Sequence, residues 1–324
     1  MNALRFLVLV IGLICIEFAP ASSYARTAEP PIEEGFIEIT GGKVWYRTVG
    51  DGDKTPILLL HGGPGVPSYY LEPLAALGEE RPVIFLDQLG CGRSDRHVDT
   101  SLMTIEKHIE QLEQVRSALG LEAFYLYGHS WGTMLGMDYY LKHPDRVKGL
   151  ILASPAISTT LWMKDAEQLI ATLPDSIQTA IHTNVAQGTF DAPDYQAALL
   201  YYYQRYVARK LPWGPTLDST FAAMNPDIYE FMWGPSEFTA TGSLKTYDRT
   251  DQLKAVNVPT LFICGEYDEA RPETTRYYQR LVPDATLAVI EEAAHLTMHD
   301  NPGRDVAEIS QFLAGVEQVQ ASER

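Results

Sequence analysis

The sequence is short of basic residues. It has 25 Lys and Arg against 42 Asp and Glu among its 324 residues, which gives a formal net charge of −17. A chain with this balance offers no excess of positive charge to a phosphate backbone and is repelled by it. We therefore do not expect nucleic acid as a partner.

Cysteine is also scarce, with three residues in the chain. Cys15 lies in the N-terminal segment, and the two others are too few for a disulfide framework. Cys91 lies in a glycine-rich loop and Cys264 ends a predicted strand, so the sequence leaves their pairing open. Burial as small apolar side chains is the favoured interpretation.

The N-terminus lacks an apolar run long enough to cross a bilayer, which takes about 20 residues. The run from Phe6 to Ile16 follows Arg5 and precedes small residues that end at Ala25. These are the three parts of a secretory signal peptide. We predict that residues 1–25 are removed and that the mature protein is secreted or periplasmic, without stable membrane insertion. An uncleaved anchor is the alternative.

No internal repeat or low-complexity linker divides the chain. Six short, continuous apolar runs lie at 57–60, 83–86, 124–127, 150–153, 260–264 and 286–290. Runs of four or five such residues are typical of parallel strands buried on both faces. Helical spacing lies between them at 105–119 and 134–141 and after them at 305–313, and a hairpin is predicted from 36–40 and 44–48. The alternation predicts an α/β fold with a mostly parallel central sheet.

The alternation of strand and helix stops between residues 156 and 253. This stretch has helical patterns and many aromatic residues but no convincing apolar strand. We predict a helical cap at 156–253, inserted into a core made of residues 26–155 and 254–324.

A G-x-S-x-G pattern, Gly128 to Gly132, follows the predicted strand at 124–127 and opens a helical segment. This context is typical of the nucleophile turn of the α/β-hydrolase fold, in which a tight turn holds the serine hydroxyl above the sheet edge. The sequence therefore predicts the α/β-hydrolase fold with Ser130 as the nucleophile. Epoxide hydrolases and haloalkane dehalogenases are set aside, because they use a carboxylate at this position.

A serine nucleophile needs a base and a group that orients the base. In this fold the acid follows the penultimate strand and the histidine follows the last one. Asp268 and His295 occupy these places, with Glu266 and Glu269 as less favoured acids. His295 and His299 have a helical spacing, but no glutamate follows the first histidine as H-E-x-x-H requires, so no metal is expected.

The segment His61-Gly62-Gly63-Pro64-Gly65 follows the strand at 57–60, where the oxyanion loop of this fold belongs. We expect the backbone N–H groups of Gly63 and Trp131 to face the developing oxyanion. His61 and His129 are interpreted as hydrogen-bonded structural residues.

At these residues the chain resembles the prolyl aminopeptidases, also called proline iminopeptidases, especially the branch that contains the tricorn-interacting aminopeptidases. The match is carried by five blocks: His61–Gly65, Asp87–Ser94, the turn around Ser130, Gly265–Glu269 with Ala294–Met298, and the cap segment Met232–Phe238. The resemblance implies that Glu237 and Glu269 bind the free α-amino group of the substrate. Tyr229, Trp233 and Phe238 then line a pocket for the first residue, or belong to the core of the cap.

The resemblance implies a serine aminopeptidase that releases an N-terminal residue, with proline as one candidate, from short peptides or amino-acid amides through an acyl-enzyme. It implies no metal or organic cofactor. A carboxylesterase, lactonase or amidase acting on a small uncharged acyl substrate is the runner-up, since the triad is common to all of them. A ligand-binding protein without turnover is disfavoured by the intact triad. The oligomeric state stays open.

Overall fold

The computed structural model describes residues 30–322. The predicted signal peptide, residues 1–25, lies outside this range. Within it, no helix combines the length and the apolar composition needed to cross a membrane.

One sheet of eight strands runs through the molecule, in the order β1-β2-β4-β3-β5-β6-β7-β8. The first two strands form the predicted hairpin, and β2 also pairs antiparallel with β4, whereas all later pairs are parallel. The predicted buried strands are confirmed, and the structure lengthens them by up to three residues. The strands are β1 Ile32–Ile39, β2 Gly42–Val49, β3 Ile57–Leu60, β4 Val83–Asp87, β5 Phe124–His129, β6 Val147–Ala153, β7 Thr260–Gly265 and β8 Ala285–Ile290.

The helices cover both faces of the sheet, and each face has its own apolar cluster. The closing helix predicted at 305–313 is much longer in the structure. The α-helices are α1 Ile105–Ala118, α2 Trp131–Lys142, α3 Thr159–Ile170, α4 Asp175–Gln187, α5 Pro193–Tyr206, α6 Pro215–Ala222, α7 Pro226–Met232, α8 Pro272–Gln279, α9 Thr297–Asp300 and α10 Pro302–Ser322. Short 3-10 helices lie at Ser68–Glu79, Thr100–Leu102, Pro144–Arg146 and Thr250–Ala255.

The insertion between β6 and β7 is helical. All of its residues are described, and it contains α3 to α7 and no strand of the sheet. The chain leaves the core at the carboxyl end of β6 and returns to it at β7. Because β5, β6, β7 and β8 are parallel, the turns that follow them lie at one edge of the sheet, beneath this insertion.

Cys91 and Cys264 do not pair. Both are buried free thiols, and burial raises the pKa of each well above its ordinary value. They pack as small apolar side chains, as the favoured interpretation of the sequence expects.

Candidate active site

Ser130 lies at a sharp turn between β5 and α2. Its φ of 54° and ψ of −121° place a residue with a side chain in a conformation that favours glycine. A Cβ atom at Gly128 would lie 2.3 Å from the carbonyl oxygen of Gly132, and a Cβ atom at Gly132 would lie 2.2 Å from the carbonyl oxygen of Leu60. Only glycine fits at both positions, which is why the turn needs the G-x-S-x-G pattern.

His295 and Asp268 form a buried hydrogen-bonded pair. Nδ1 of His295 lies 2.9 Å from Oδ1 of Asp268, which also accepts the N–H of Ala270 at 2.8 Å. The other carboxylate oxygen, Oδ2, lies 2.7 Å from the hydroxyl of Ser154 and 3.1 Å from the N–H of Gly265. A carboxylate accepts only, so the imidazole proton is on Nδ1 and Nε2 keeps its lone pair. His295 and Ser130 line the same cavity.

Two side chains orient the oxyanion loop. Nε2 of His61 accepts the N–H of Gln88 at 2.9 Å, so the Nδ1 proton is donated to the carbonyl oxygen of Gly62 at 3.0 Å. This carbonyl and the N–H of Gly63 belong to one planar peptide group and point in opposite directions. The N–H of Gly62 itself donates to the hydroxyl of Tyr70 at 2.6 Å.

The two backbone donors predicted for the oxyanion remain available. Within residues 30–322, neither the N–H of Gly63 nor that of Trp131 donates a hydrogen bond. Trp131 is the first residue of α2, so its N–H has no acceptor inside the helix and lies at the positive end of the helix dipole. Both residues line the cavity that contains Ser130, and an oxyanion formed there would meet unpaired N–H groups.

Glu237 comes from the cap, in the loop after α7. Its Oε2 accepts the hydroxyl of Tyr229 at 3.0 Å and that of Tyr203 at 3.4 Å. Burial raises the pKa of Glu237, and the hydrogen bond from Tyr229 offsets part of this rise. The carboxylate therefore has neutral donors on one side and the cavity on the other.

Glu269 follows Asp268 in the core and is 4% exposed. Its Oε1 lies 3.7 Å from Nε2 of His295, and its Oε2 has no hydrogen-bond partner among the residues described. Burial raises the pKa of Glu269 well above its ordinary value, and the negative charges of Glu237 and Asp268 raise it further. A cation bound beside Glu269 would stabilise the charged form of this buried carboxylate, whose charge is otherwise disfavoured by burial and by the neighbouring negative charges.

Ser130, His295 and both glutamates line one cavity of about 560 Å³ between the core and the cap, and Asp268 lies buried behind His295. Its volume is within the range typical of small-molecule sites. Apolar side chains cover most of the wall beside the reacting groups, and they include Met134, Ala156, Trp162, Trp233 and Leu244. Of the three aromatic residues expected here, Tyr229 and Trp233 line the cavity. Phe238 instead packs against Tyr202, with ring centroids 4.8 Å apart.

Comparisons of the sequence with known proteins identify the family to which the chain belongs. The family model described as alpha/beta hydrolase fold matches residues 55–302. Over 287 residues the chain is 43% identical to a proline iminopeptidase of Heyndrickxia coagulans, covering 87% of this chain and 99% of that protein. It is 34% identical to a proline iminopeptidase of Saccharolobus solfataricus, covering 87% and 92%. The chain belongs to the proline iminopeptidase family of α/β hydrolases.

Solved structures agree with this family. The proline iminopeptidase of Mycobacterium smegmatis has a TM-score of 0.83 and 30% identity, covering 89% of this chain and all of that one. The protein VinJ has a TM-score of 0.85 and 32% identity with the same coverage. The resemblance and the fold predicted from the sequence are confirmed, while the roles of the individual residues stay predictions that the geometry supports.

Two supporting residues of this family member were missed at the level of sequence, and one role of a third was missed. Ser154 contacts Asp268, and Tyr203 donates to Glu237. Tyr229 was expected to contribute an apolar wall, but its hydroxyl also binds Glu237. A tyrosine in a helical cap carries no local signal that separates a hydrogen-bonding role from simple packing.

Proposed function

We propose that the protein is a serine aminopeptidase that removes the N-terminal residue from short peptides or amino-acid amides. The observation that carries the proposal is the buried carboxylate of Glu269. Its Oε2 has no hydrogen-bond partner within residues 30–322, and its Oε1 lies 3.7 Å from Nε2 of His295, the nitrogen that serves as the base. A substrate ammonium is the cation that such a group would bind.

This placement accounts for the removal of one residue at a time. The α-amino group of a peptide is separated from its first carbonyl carbon by a single carbon atom. An ammonium held by Glu237 and Glu269 beside His295 therefore brings the first carbonyl, and no later one, to Ser130. An uncharged or acylated N-terminus would leave the two carboxylates without a partner.

The reaction follows from the hydrogen bonds of the triad. Oγ of Ser130 adds to the carbonyl carbon while Nε2 of His295 takes its proton, and the N–H groups of Gly63 and Trp131 stabilise the oxyanion. The C–N bond then breaks, and the imidazolium returns the proton to the leaving amine. His295 next takes a proton from a water molecule as the water oxygen adds to the acyl carbon. The bond from that carbon to Oγ of Ser130 then breaks, the imidazolium returns its proton to Oγ, and the amino acid is released.

Proline is a suitable first residue on chemical grounds. Its protonated secondary amine has two N–H donors, and the site offers two carboxylates. The apolar wall at Met134, Trp162 and Trp233 matches its ring. The relatives named above are proline iminopeptidases, and we extend this preference to the present chain.

A panel of aminoacyl arylamides tests the proposal. Prolyl, alanyl and leucyl arylamides should be cleaved with the amine free and should resist cleavage when it is acetylated. A small aryl ester serves as the uncharged comparison. Equal rates on free and blocked amines would remove the aminopeptidase function and leave a general esterase or amidase.

We also propose that residues 1–25 direct export and that the mature chain begins near Arg26. The charged, apolar and small-residue segments of the N-terminus support this. N-terminal sequencing of the protein recovered outside the cytoplasm tests it. An intact Met1 on membrane-bound material would instead favour an anchor.

A further inference from the structure

His129, the residue before the nucleophile, is held as a neutral imidazole with its proton on one nitrogen. It is 1% exposed, and burial lowers its pKa well below the ordinary value. Its Nε2 lies 2.9 Å from the carbonyl oxygen of His295, and the ring centroids of His129 and His295 are 4.6 Å apart. A carbonyl only accepts, so the proton is on Nε2 and Nδ1 is an acceptor.

Tyr70 completes a chain of hydrogen bonds whose directions are all determined. Its hydroxyl lies 2.9 Å from Nδ1 of His129 and must donate to it. The same oxygen accepts the N–H of Gly62 at 2.6 Å. The chain runs from Gly62 through Tyr70 and His129 to the carbonyl of His295, and it joins residues that are far apart in sequence.

The groups in this chain are closely packed around the nucleophile. A Cβ atom at Gly62 would lie 3.1 Å from Cβ of Ser130, 3.1 Å from the hydroxyl oxygen of Tyr70 and 3.2 Å from Nδ1 of His129. A shift of any one of these groups is therefore transmitted to the others. Because the N–H of Gly62 is occupied by Tyr70, the next N–H along the loop, that of Gly63, is left for the oxyanion.

We propose that Tyr70 and His129 are positioning residues that hold the oxyanion loop, the turn of Ser130 and the loop of His295 in one fixed arrangement. The inference rests on the proposed serine hydrolysis at Ser130, but it does not depend on which substrate is cleaved. Its test can therefore use a free-amine arylamide and an uncharged ester in parallel.

Tyr70→Phe is the first variant. It leaves the N–H of Gly62 and Nδ1 of His129 unpaired while keeping the aromatic ring. We expect kcat to fall about tenfold to a hundredfold on both substrates, with KM changed by less than about threefold. Thermal midpoints and titration of Ser130 with an organophosphonate correct each rate for folded, competent enzyme.

Tyr127→Phe is the matched control. Tyr127 lies on β5, three residues before Ser130, is fully buried, and has a hydroxyl without a hydrogen-bond partner among residues 30–322. Removing this hydroxyl should leave kcat within about twofold. Equal losses in Tyr70→Phe and Tyr127→Phe would assign both effects to packing and overturn the inference.

A second measurement separates positioning from general stability. Oγ of Ser130 adds to the carbonyl carbon of an amino aldehyde while the hydroxyl proton passes to Nε2 of His295, and the aldehyde oxygen becomes an oxyanion. The matching amino alcohol has the same ammonium but no carbonyl carbon to which Oγ can add. Tyr70→Phe should weaken binding of the aldehyde by tenfold or more and leave the alcohol unchanged. Equal weakening of the two overturns the inference. If neither the aldehyde nor the alcohol binds the wild type, the proposed aminopeptidase function is contradicted. The change in kcat of Tyr70→Phe on the ester then still tests the role of Tyr70.

His129→Gln tests whether Tyr70 and His129 act together. The side-chain amide nitrogen of glutamine reaches the position of Nε2 and can still donate to the carbonyl oxygen of His295. Glutamine has no acceptor at the position of Nδ1, so the hydrogen bond from Tyr70 is lost. In the Tyr70→Phe background this second change should lower kcat by less than about threefold, since the shared bond is already absent. If the fold-losses in kcat of the two single variants multiply in full in the double variant, Tyr70 and His129 act independently. That result would overturn the inference that they act together.

Discussion

The carboxylate of Glu269 lies 3.7 Å from Nε2 of His295, on the side of the imidazole opposite to Asp268. His295 therefore has one carboxylate at Nδ1, that of Asp268, and another near Nε2, that of Glu269, which also lines the cavity. An ammonium bound to Glu269 is held beside the reacting atoms. In the proposed function, recognition of the amine and activation of the serine thus take place within one group of contacts.

Replacing Glu237 or Glu269 should lower the hydrolysis of substrates with a free amine and leave the hydrolysis of uncharged esters nearly unchanged. In Glu237→Gln and Glu269→Gln we expect kcat/KM for a free-amine arylamide to fall about tenfold to a hundredfold, because a charged hydrogen bond is worth about 1.5–3 kcal/mol. Hydrolysis of a small uncharged ester should change by less than about threefold.

Glu266→Gln is the control for these variants, since Glu266 is exposed and lies three residues before Glu269. It should behave as the wild type on both substrates. Unchanged cleavage of the arylamide in Glu237→Gln and Glu269→Gln would show that the carboxylates do not bind the amine.

The pH dependence of the two substrates should differ. The raised pKa of Glu269 means that this carboxyl takes up a proton, and loses its attraction for an ammonium, as the pH falls through that value. The ratio of kcat/KM for the arylamide to that for the ester should fall on acidification by up to about tenfold per pH unit. Any pH effect on the shared steps of serine activation is common to both substrates and cancels in the ratio. A ratio that is constant with pH would contradict the assignment.

Ser130→Ala should remove turnover by at least about 10⁴-fold on every substrate. Its stability should stay within about 1 kcal/mol of the wild type, because only a hydroxyl group is lost. Intact-mass measurement after treatment with an organophosphonate should show one adduct on the wild type and none on the variant. An adduct on Ser130→Ala would identify a different nucleophile.

Two glycine-to-alanine changes should act in opposite directions. Gly132→Ala places a Cβ atom 2.2 Å from the backbone of Leu60, and we expect a loss of about 3 kcal/mol or more in unfolding free energy. Gly315 lies inside α10 with nothing near its added Cβ, so Gly315→Ala should stabilise by about 0.5–1 kcal/mol. Urea unfolding measures both, and similar effects at the two sites would disprove the steric account of the turn.

Asp305 should make the fold less stable as the pH rises. It is fully buried in the first turn of α10, both carboxylate oxygens lack a partner among the residues described, and burial raises its pKa to about 7. The folded state then holds a proton that the unfolded chain has lost, so stability falls from about pH 4 and is lowest above pH 7. The difference between a pKa of about 7 in the folded chain and one of about 3.9 in the unfolded chain corresponds to up to about 4 kcal/mol.

Asp305→Asn keeps the shape of the side chain and removes the charge. The variant should be more stable than the wild type at pH 8, and the difference should vanish near pH 4. Unfolding at a series of pH values measures this difference. Parallel curves for the two proteins would mean that Asp305 does not titrate in this range.

The strands and the nucleophile turn could be predicted because their signals are local. A buried strand is a continuous apolar run, and the turn at Ser130 needs glycines at two fixed positions. Asp268 and His295 were found from their order after β7 and β8. Each of these features is encoded within a few neighbouring residues.

The contacts that orient the catalytic groups could not be predicted, because they join distant parts of the chain. Tyr70 and His129 are 59 residues apart, and Ser154 and Asp268 are 114 residues apart. Tyr203 reaches Glu237 only through the packing of the cap helices. A single tyrosine or serine in a sequence carries no mark of such a partner, and the same holds for the burial of Phe238 away from the cavity.

The proposed amine site is divided between two parts of the molecule, since Glu237 belongs to the cap and Glu269 to the core. An ammonium that binds both carboxylates forms a noncovalent cross-link between them. In the proposed function, binding of a free N-terminus therefore stabilises the contact between the helical insertion and the core, and binding of a neutral ester does not. Under this proposal, selection of the substrate and stabilisation of the contact between cap and core are one event.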